Sequence, residues 1–142
     1  MKQFYLMVIL FASMTIFSCS SDSENKEQND QSNLLVGTWF AEKEITNGET
    51  YTFSECERTD TRIFKNDGRF DFAFYGYLGS SCGLEGTEEG DWELKDGKLI
   101  YYYDVYDEDD PEKVENEIIK LTNSELRIRP DYNQNYEVIY RR

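Results

Sequence analysis

The chain contains three cysteines and no histidine, so its thiols are the first candidates for chemistry. Cys19 follows an apolar leader, whereas Cys56 and Cys82 lie in the body of the chain. Histidine is the commonest general base near neutral pH and a principal zinc ligand. The sequence also has no Cys-x-x-Cys pair. A metal or redox centre is therefore a poor interpretation of these thiols.

Residues 1–18 have the layout of a secretory signal, with Lys2 ahead of a mostly apolar stretch and Ser18 just before Cys19. The segment resembles a bacterial lipoprotein signal peptide, in which the cysteine is acylated and the preceding residues are removed. Its Ile16-Phe17 departs from the commonest pattern and is similar to the signals of Bacteroidota. An uncleaved membrane helix is the rival interpretation, but the stretch is shorter than the about 20 apolar residues that span a bilayer.

The expected location is the cell envelope, with the chain lipid-anchored to the outer membrane through Cys19. Residues 20–24, Ser-Ser-Asp-Ser-Glu, are similar to the acidic segments that direct such lipoproteins to the cell surface. A plain solvated spacer is the alternative. Residues 20–33 contain Ser, Asp, Glu, Asn, Gln and one Lys but no aromatic residue, so segment 19–33 is predicted to be an acylated, disordered tether.

The charge balance excludes several classes of partner. Removal of Lys2 with the leader leaves 14 basic residues against 29 acidic ones, a formal charge of −15. Nucleic-acid binding depends on Lys and Arg displacing counterions, so no nucleic-acid partner is expected. Electrostatic attachment to an anionic membrane surface is excluded for the same reason. Membrane attachment must therefore come from the lipid, whose acyl chains contribute about 0.8 kcal/mol per buried CH₂.

Two cysteines remain once Cys19 is assigned to the lipid. An exported protein meets oxidising conditions, so Cys56 and Cys82 are expected to form a disulfide. Closing a loop of this length contributes about 3 to 3.5 kcal/mol in the chain-entropy model. Residues 34–142 have the length of one small domain that such a bond would stabilise.

The hydrophobic period in residues 34–142 is two, which is typical of strands with one buried face. Asn66-Asp67-Gly68 and Asp96-Gly97 are hairpin turn sequences, because they tolerate positive φ. We expect an all-β fold, an antiparallel up-and-down meander of about eight strands that closes into a barrel. The strands are expected at 38–45, 51–54, 62–65, 69–75, 90–94, 98–106, 114–121, 125–129 and 136–141, and no amphipathic helix is evident.

Alternation assigns one set of mainly aromatic side chains to the inside of this barrel. Either these rings fill the interior or they surround a cavity, and the sequence leaves both interpretations open. The inward candidates for contact with a ligand are Phe70, Phe72, Phe74, Trp92, Leu94, Leu99, Tyr101 and Tyr103.

Several short motifs recur at the spacing of one family. They are Leu35-Val36-Gly37-Thr38-Trp39, Cys56 ahead of Thr61–Phe64, Asp67-Gly68, Gly90-Asp91-Trp92, Leu99, and Ile119-Lys120-Leu121-Thr122 ahead of Leu126. Over residues 34–142 the chain resembles the lipocalin-like domains of Bacteroidota lipoproteins. The resemblance implies that Trp39 plugs the closed end of the barrel and that the mouth holds a small hydrophobic or amphiphilic molecule. The acidic loop from Tyr106 to Glu112 and the lack of a clear N-terminal helix depart from the family pattern.

The acidic residues give two further interpretations. Residues Asp107–Asp110, with Asp104 and Glu112, suggest a calcium loop, but the spacing is not that of an EF-hand and a solvated hairpin loop is favoured. Asp71 and Glu93 would be the carboxylates of a glycosidase-like pair, yet alternation places both on the solvent face. Gly79–Gly83 is interpreted as a loop around the disulfide rather than as the site of a nucleophilic serine.

We therefore expect no catalytic residue, no metal and no cofactor. The preferred function is a lipid-anchored barrel that binds a small hydrophobic or amphiphilic ligand. The alternative is a filled barrel that acts as a protein-interaction module at the cell surface, with outward Tyr102 and Tyr106 contacting an unidentified partner.

Overall fold

The computed structural model describes residues 30–104 and 112–142, and within these residues it contains nine β-strands. Residues 30–35 are helical, and Glu57–Thr59 form a short 3₁₀ turn. The strands are β1 (Gly37–Thr46), β2 (Glu49–Thr52), β3 (Thr61–Phe64), β4 (Arg69–Leu78), β5 (Ser81–Lys95), β6 (Lys98–Tyr103), β7 (Glu112–Leu121), β8 (Glu125–Pro130) and β9 (Tyr136–Arg141).

The strands form one closed antiparallel barrel. From β3 to β9 each strand pairs with the next along the chain, and β1 pairs with both β3 and β9. This closure uses eight strands and leaves no open edge between first and last. The ninth strand, β2, pairs with the second half of β1 as a hairpin extension. The predicted fold class, an up-and-down meander closing into a lipocalin-like barrel, is confirmed.

Both hairpin turns lie where the sequence predicted them. Asp96 and Gly97 have φ values of 52° and 75°, and Gly68 has a φ of 85°. Positive φ at these positions matches the backbone twist of a tight hairpin. The turns set the registers Phe64↔Phe70 and Leu94↔Leu99, which bring apolar side chains opposite one another inside the barrel.

Strand β5 is longer than predicted. It begins at Ser81 and pairs with β4 through Tyr77↔Cys82 and Phe74↔Gly86, so the interpretation of Gly79–Gly83 as a loop was wrong beyond Ser80. Residues 81–89 are mostly Gly, Glu and Ser and show no apolar alternation, which is why the pattern failed there. Backbone pairing with an established strand determines their conformation instead.

The helical segment at residues 30–35 was not predicted. Its residues 30–33 had been assigned to the disordered tether, whereas the structure places them in the helix. Leu35 is fully buried, and the carbonyl oxygen of Ser32 accepts a hydrogen bond from Val36 N–H at 3.1 Å. Packing of one leucine against the barrel end therefore orders a segment whose composition alone favours disorder. Within the described part of the chain, no helix is long and apolar enough to cross a bilayer.

Most of the large, fully buried side chains lie toward one end of the barrel, called here the closed end. This end carries the start of β1 and the β3–β4, β5–β6 and β7–β8 turns. Trp39 is fully buried there, and its indole N–H donates to the carbonyl oxygen of Leu35 at 2.7 Å. The Arg142 guanidinium lies 4.2 Å from the centre of the Trp39 ring and donates to the carbonyl oxygens of Leu34 and Val36 at 2.7 and 2.5 Å. The helical segment, the first strand and the chain end thus close the barrel together.

Candidate functional site

The eight residues predicted to face inward all belong to the barrel core, but they serve two different regions of it. Phe70, Phe72, Leu94, Leu99 and Tyr101 are buried, and Phe74, Trp92 and Tyr103 pack against them while partly buried. Toward the closed end, rings fill the space. The rings of Phe70 and Phe72 stack at 4.2 Å, and Phe64 meets Trp92 edge-on at 5.8 Å.

The opposite end of the barrel holds a cavity of about 300 Å³. Of the eight predicted residues, Phe74, Tyr101 and Tyr103 line it. The sequence analysis missed most of the other wall, which β7 to β9 and the loop before β3 supply. The further lining residues include Phe53, Asp60, Arg62, Val114, Asn116, Ile128, Tyr132, Tyr136, Val138 and Tyr140.

A second depression of about 570 Å³ lies beside β3, β4 and β5. It is larger, but its walls include the charged side chains of Lys65, Asp71, Glu88, Glu89 and Asp104. Ligand pockets are mostly apolar with a few convergent polar groups, and the cavity inside the barrel fits that description better. We therefore take the interior cavity as the candidate site.

Arg62 is the one cation among the residues that line the interior cavity. It occupies an inward position of β3, two residues before the buried Phe64. Its Nε donates to the hydroxyl of Tyr140 at 2.7 Å, and its guanidinium carbon lies 4.2 Å from the centre of the Phe72 ring. A desolvated cation–π contact of this kind contributes about 2 kcal/mol. Among the described residues, no carboxylate oxygen lies within the 4 Å of an ion pair with Arg62.

The tyrosines around Arg62 do not neutralise its charge. Burial raises the pKa of the Tyr101 hydroxyl, and it raises the pKa of Tyr103 to about 12 despite the opposing effect of Arg62. Both phenols are therefore protonated and neutral near pH 7. Tyr101 is 2 % exposed, and its hydroxyl has no hydrogen-bond partner in the described structure. A buried hydroxyl without a partner costs about 1 to 3 kcal/mol, so a ligand that pairs with it gains that energy.

Asp60 introduces an acidic group at the same cavity. Its Oδ1 accepts a hydrogen bond from Tyr75 N–H at 2.6 Å. Burial raises the pKa of Asp60, although this hydrogen bond and the nearby Arg62 act in the opposite direction. The cavity wall thus combines apolar surface, neutral hydroxyls, one cation and one carboxyl group whose protonation is easier than usual.

The predicted Cys56–Cys82 disulfide is confirmed, with a Cα–Cα distance of 5.4 Å. It joins the segment between β2 and β3 to the first residues of β5. Phe53 and Asp60, which flank Cys56 along the chain, both line the cavity. The crosslink therefore holds one side of the cavity mouth to the barrel wall.

The acidic surface groups of the sequence analysis lie away from this cavity. Asp71 pairs with Lys65 at 2.6 Å, and Glu93 accepts a hydrogen bond from the hydroxyl of the predicted outward Tyr102 at 2.7 Å. Asp104 pairs with Arg69 at 2.5 Å. Residues Asp107–Asp110, the suggested calcium loop, lie outside the described residues, as do Tyr106 and Cys19. No group of three or more potential metal ligands occurs within residues 30–104 and 112–142.

Fold and cavity together define a small closed antiparallel barrel, filled at one end and open at the other. The chain belongs to the lipocalin-like domain family, whose model matches residues 35–128. No curated protein matches the chain.

Two solved structures share this fold. A lipocalin-like protein from Bacteroides uniformis ATCC 8492 is 19% identical, with a TM-score of 0.56, and the match covers 77% of this chain and 98% of that one. An uncharacterized protein from Bacteroides eggerthii DSM 20697 is 14% identical, with a TM-score of 0.57 and coverage of 75% and 98%. Since nearly the whole of each of those chains matches, the barrel exists as an independently folded unit in both.

Proposed function

We propose that this protein is a lipid-anchored binding protein of the cell envelope that holds a small amphiphilic ligand in its barrel without chemical turnover. The observation that carries the proposal is the interior cavity. A barrel whose rings fill one end completely still leaves about 300 Å³ open at the other. That volume lies at the lower end of the range of about 300 to 1,000 Å³ for small-molecule sites.

The cavity wall has the composition that an amphiphile requires. Phe53, Val114, Ile128 and Val138 offer apolar surface, while Arg62 and the tyrosine hydroxyls offer polar contacts. Protein interiors normally pack without voids of this size. A space of this size, open at the barrel mouth and lined by apolar side chains with a few polar groups, supports a binding role.

The proposed location rests on the sequence. An acylated Cys19 would stand about ten residues ahead of the helical segment at the closed end, so the anchor would be attached opposite the cavity mouth. The mouth would then face away from the outer membrane, toward the medium for a surface-exposed protein. Replacement of Cys19 by Ser should abolish incorporation of radiolabelled palmitate and move the protein out of the membrane fraction. Unchanged labelling would refute the lipoprotein assignment.

The binding proposal is tested by native mass spectrometry of protein extracted from its own membrane. The wild type should retain a bound small molecule. Val114→Phe adds a ring to the cavity wall and should lose the bound molecule. Thr50→Phe adds a ring to the exposed strand β2 and is the matched control, which should retain it. A wild type with no bound molecule, or equal retention by both variants, would contradict the proposal.

A second candidate function, the protein-interaction module, is favoured by the β4–β5 hairpin. Tyr77, Leu78 and Leu84 are 50 to 60% exposed on neighbouring positions of that hairpin. Such clustered exposure is typical of contact sites. Crosslinking in intact cells should capture a partner through a photoreactive residue at position 78 and not at the exposed Thr50. Equal or absent capture at both positions would leave ligand binding as the sole function.

A further inference from the structure

We propose that the bound amphiphile carries a carboxylate, and that Arg62 holds this headgroup inside the barrel with the hydroxyl of Tyr101 nearby. The inference rests on the proposed function, because it names the class of ligand for the same cavity. It adds a specificity-determining cation to the cavity wall described above.

The charge of Arg62 requires a partner. Burying a cation costs free energy unless the cation is paired with an anion. Hydrogen bonds to neutral hydroxyls alone do not offset that cost. Within the described residues Arg62 donates to the Tyr140 hydroxyl, is hydrogen-bonded to Tyr103 and lies over the rings of Phe72, Phe74 and Tyr140, but it has no ion pair. By contrast Arg127, Arg129 and Arg141 on the barrel wall each pair with a glutamate. Asp60 interacts electrostatically with Arg62 but forms no ion pair with it, so an anionic ligand would supply a direct counter-charge.

The donor geometry favours an oxyanion. Arginine presents five N–H donors in a planar fork, and Tyr140 receives the one on Nε. The end of the fork suits bidentate contact with a carboxylate. Tyr101 lines the same cavity, and its buried hydroxyl lacks a hydrogen-bond partner in the described structure. A carboxylate between them would accept hydrogen bonds from the guanidinium and from the unpartnered Tyr101 hydroxyl.

A single carboxylate fits better than a phosphate. The cavity wall has one cation, and the surrounding tyrosines are neutral. Asp60 lines the same cavity and would oppose a second negative charge. The chain as a whole carries a formal charge of −14, which further disfavours a dianion.

The same residues orient the ligand. Arg62 pairs across the sheet with Trp39 and Phe72, so it lies deep in the barrel, whereas Phe53, Tyr132 and Tyr136 lie near the mouth. The headgroup would therefore point inward and the apolar tail toward the mouth. Val114, Ile128 and Val138 lie along the path of the tail.

The test is isothermal titration calorimetry on residues 20–142, a form justified because the two solved structures consist almost entirely of this barrel. The probes are octanoate, octanol, octyltrimethylammonium and octyl phosphate, which share a tail and differ in headgroup. Octanoate should bind about tenfold or more tightly than octanol, since a charge-assisted hydrogen bond is worth at least that factor. Octyltrimethylammonium should bind most weakly.

Arg62→Met should remove the preference for octanoate over octanol. Arg58→Met is the matched control, because Arg58 is an exposed arginine on the 3₁₀ turn and its loss changes the net charge equally. Tyr101→Phe should narrow the preference for octanoate over octanol, and it keeps the test decisive if Arg62→Met fails to fold.

The outcomes separate the two proposals. If octanol binds as tightly as octanoate, the headgroup inference is overturned and the binding function stands. If octyl phosphate binds more tightly than octanoate, the carboxylate assignment is overturned. If none of the four probes binds, both the inference and its underlying function are refuted.

Discussion

Replacing Cys82 by serine removes the Cys56–Cys82 crosslink with little other disturbance. Cys82 is exposed, so the new hydroxyl is hydrated, whereas Cys56 is only 2 % exposed. The crosslinked residues are 26 positions apart, and closing such a loop restricts the unfolded chain by about 3 to 3.5 kcal/mol. In a domain of this size that loss corresponds to a fall in melting temperature of about 12 °C or more.

Cys56→Ser should cost more than Cys82→Ser, although both break the same bond. The serine hydroxyl at position 56 would be buried, and burial of an unpaired hydroxyl adds about 1 to 3 kcal/mol. The two variants therefore separate the crosslink from its surroundings. The difference between them measures the burial at position 56 alone.

The assay is thermal unfolding followed by circular dichroism, with and without reductant. Under reductant the wild type should melt at the same temperature as Cys82→Ser, and Cys56→Ser should melt lower. The melting curves of both variants should be unaffected by reductant. A wild type whose melting temperature is indifferent to reductant would refute the stabilising role of the bond. Equal melting of the two variants would refute the argument about Cys56.

Three further predictions concern packing and charge. Gly90→Ala should destabilise the barrel by about 2 kcal/mol or more in urea titrations, because a Cβ there would lie 2.0 Å from the carbonyl oxygen of Tyr102. Gly86→Ala should be neutral in the same titrations, because a Cβ there would have no atom within 4 Å. Glu137→Gln should make the free energy of unfolding less dependent on pH in the acid range. Arg129 and Arg127 lower the pKa of Glu137 despite its burial, so the carboxylate stabilises the fold above its unfolded-state pKa. This stabilisation is lost as the pH falls through the folded-state pKa. Octanesulfonate affinity should rise as the pH is lowered, because the raised pKa of Asp60 lets this carboxyl lose its charge at a higher pH than usual. Asp60→Asn should abolish that dependence in calorimetry.

The barrel could be predicted from the sequence because its signals are local. Alternation along Phe70, Phe72 and Phe74 fixes which face of β4 is buried, and Asp96-Gly97 fixes a two-residue turn. Each signal needs only neighbouring residues. Residues 81–89 carry no such signal, since their strand exists through pairing with β4, and the fate of residues 30–33 depends on where Leu35 packs.

The division between filled and open space could not be predicted from the sequence. Alternation gives the inward set but not the distances between rings from different strands. Phe70 and Phe72 stack at 4.2 Å, while Phe74, one inward position further along the same strand, faces the cavity. Strands that are distant in sequence decide which ring contacts another ring and which ring faces the cavity.

The same alternation would have predicted that Arg62 faces the inside of the barrel. Phe64 faces inward on β3, so period two places Arg62 on the inside as well, and the sequence analysis overlooked a charged residue at an inward position. Charged side chains are almost never buried unless they are paired. Arg62 occupies an interior position and is surrounded by tyrosines whose pKa values burial has raised. Such an arginine therefore indicates a missing anion more specifically than the aromatic residues indicate a ligand. The aromatic residues explain why the barrel closes, and the single interior cation explains why its open end would be selective.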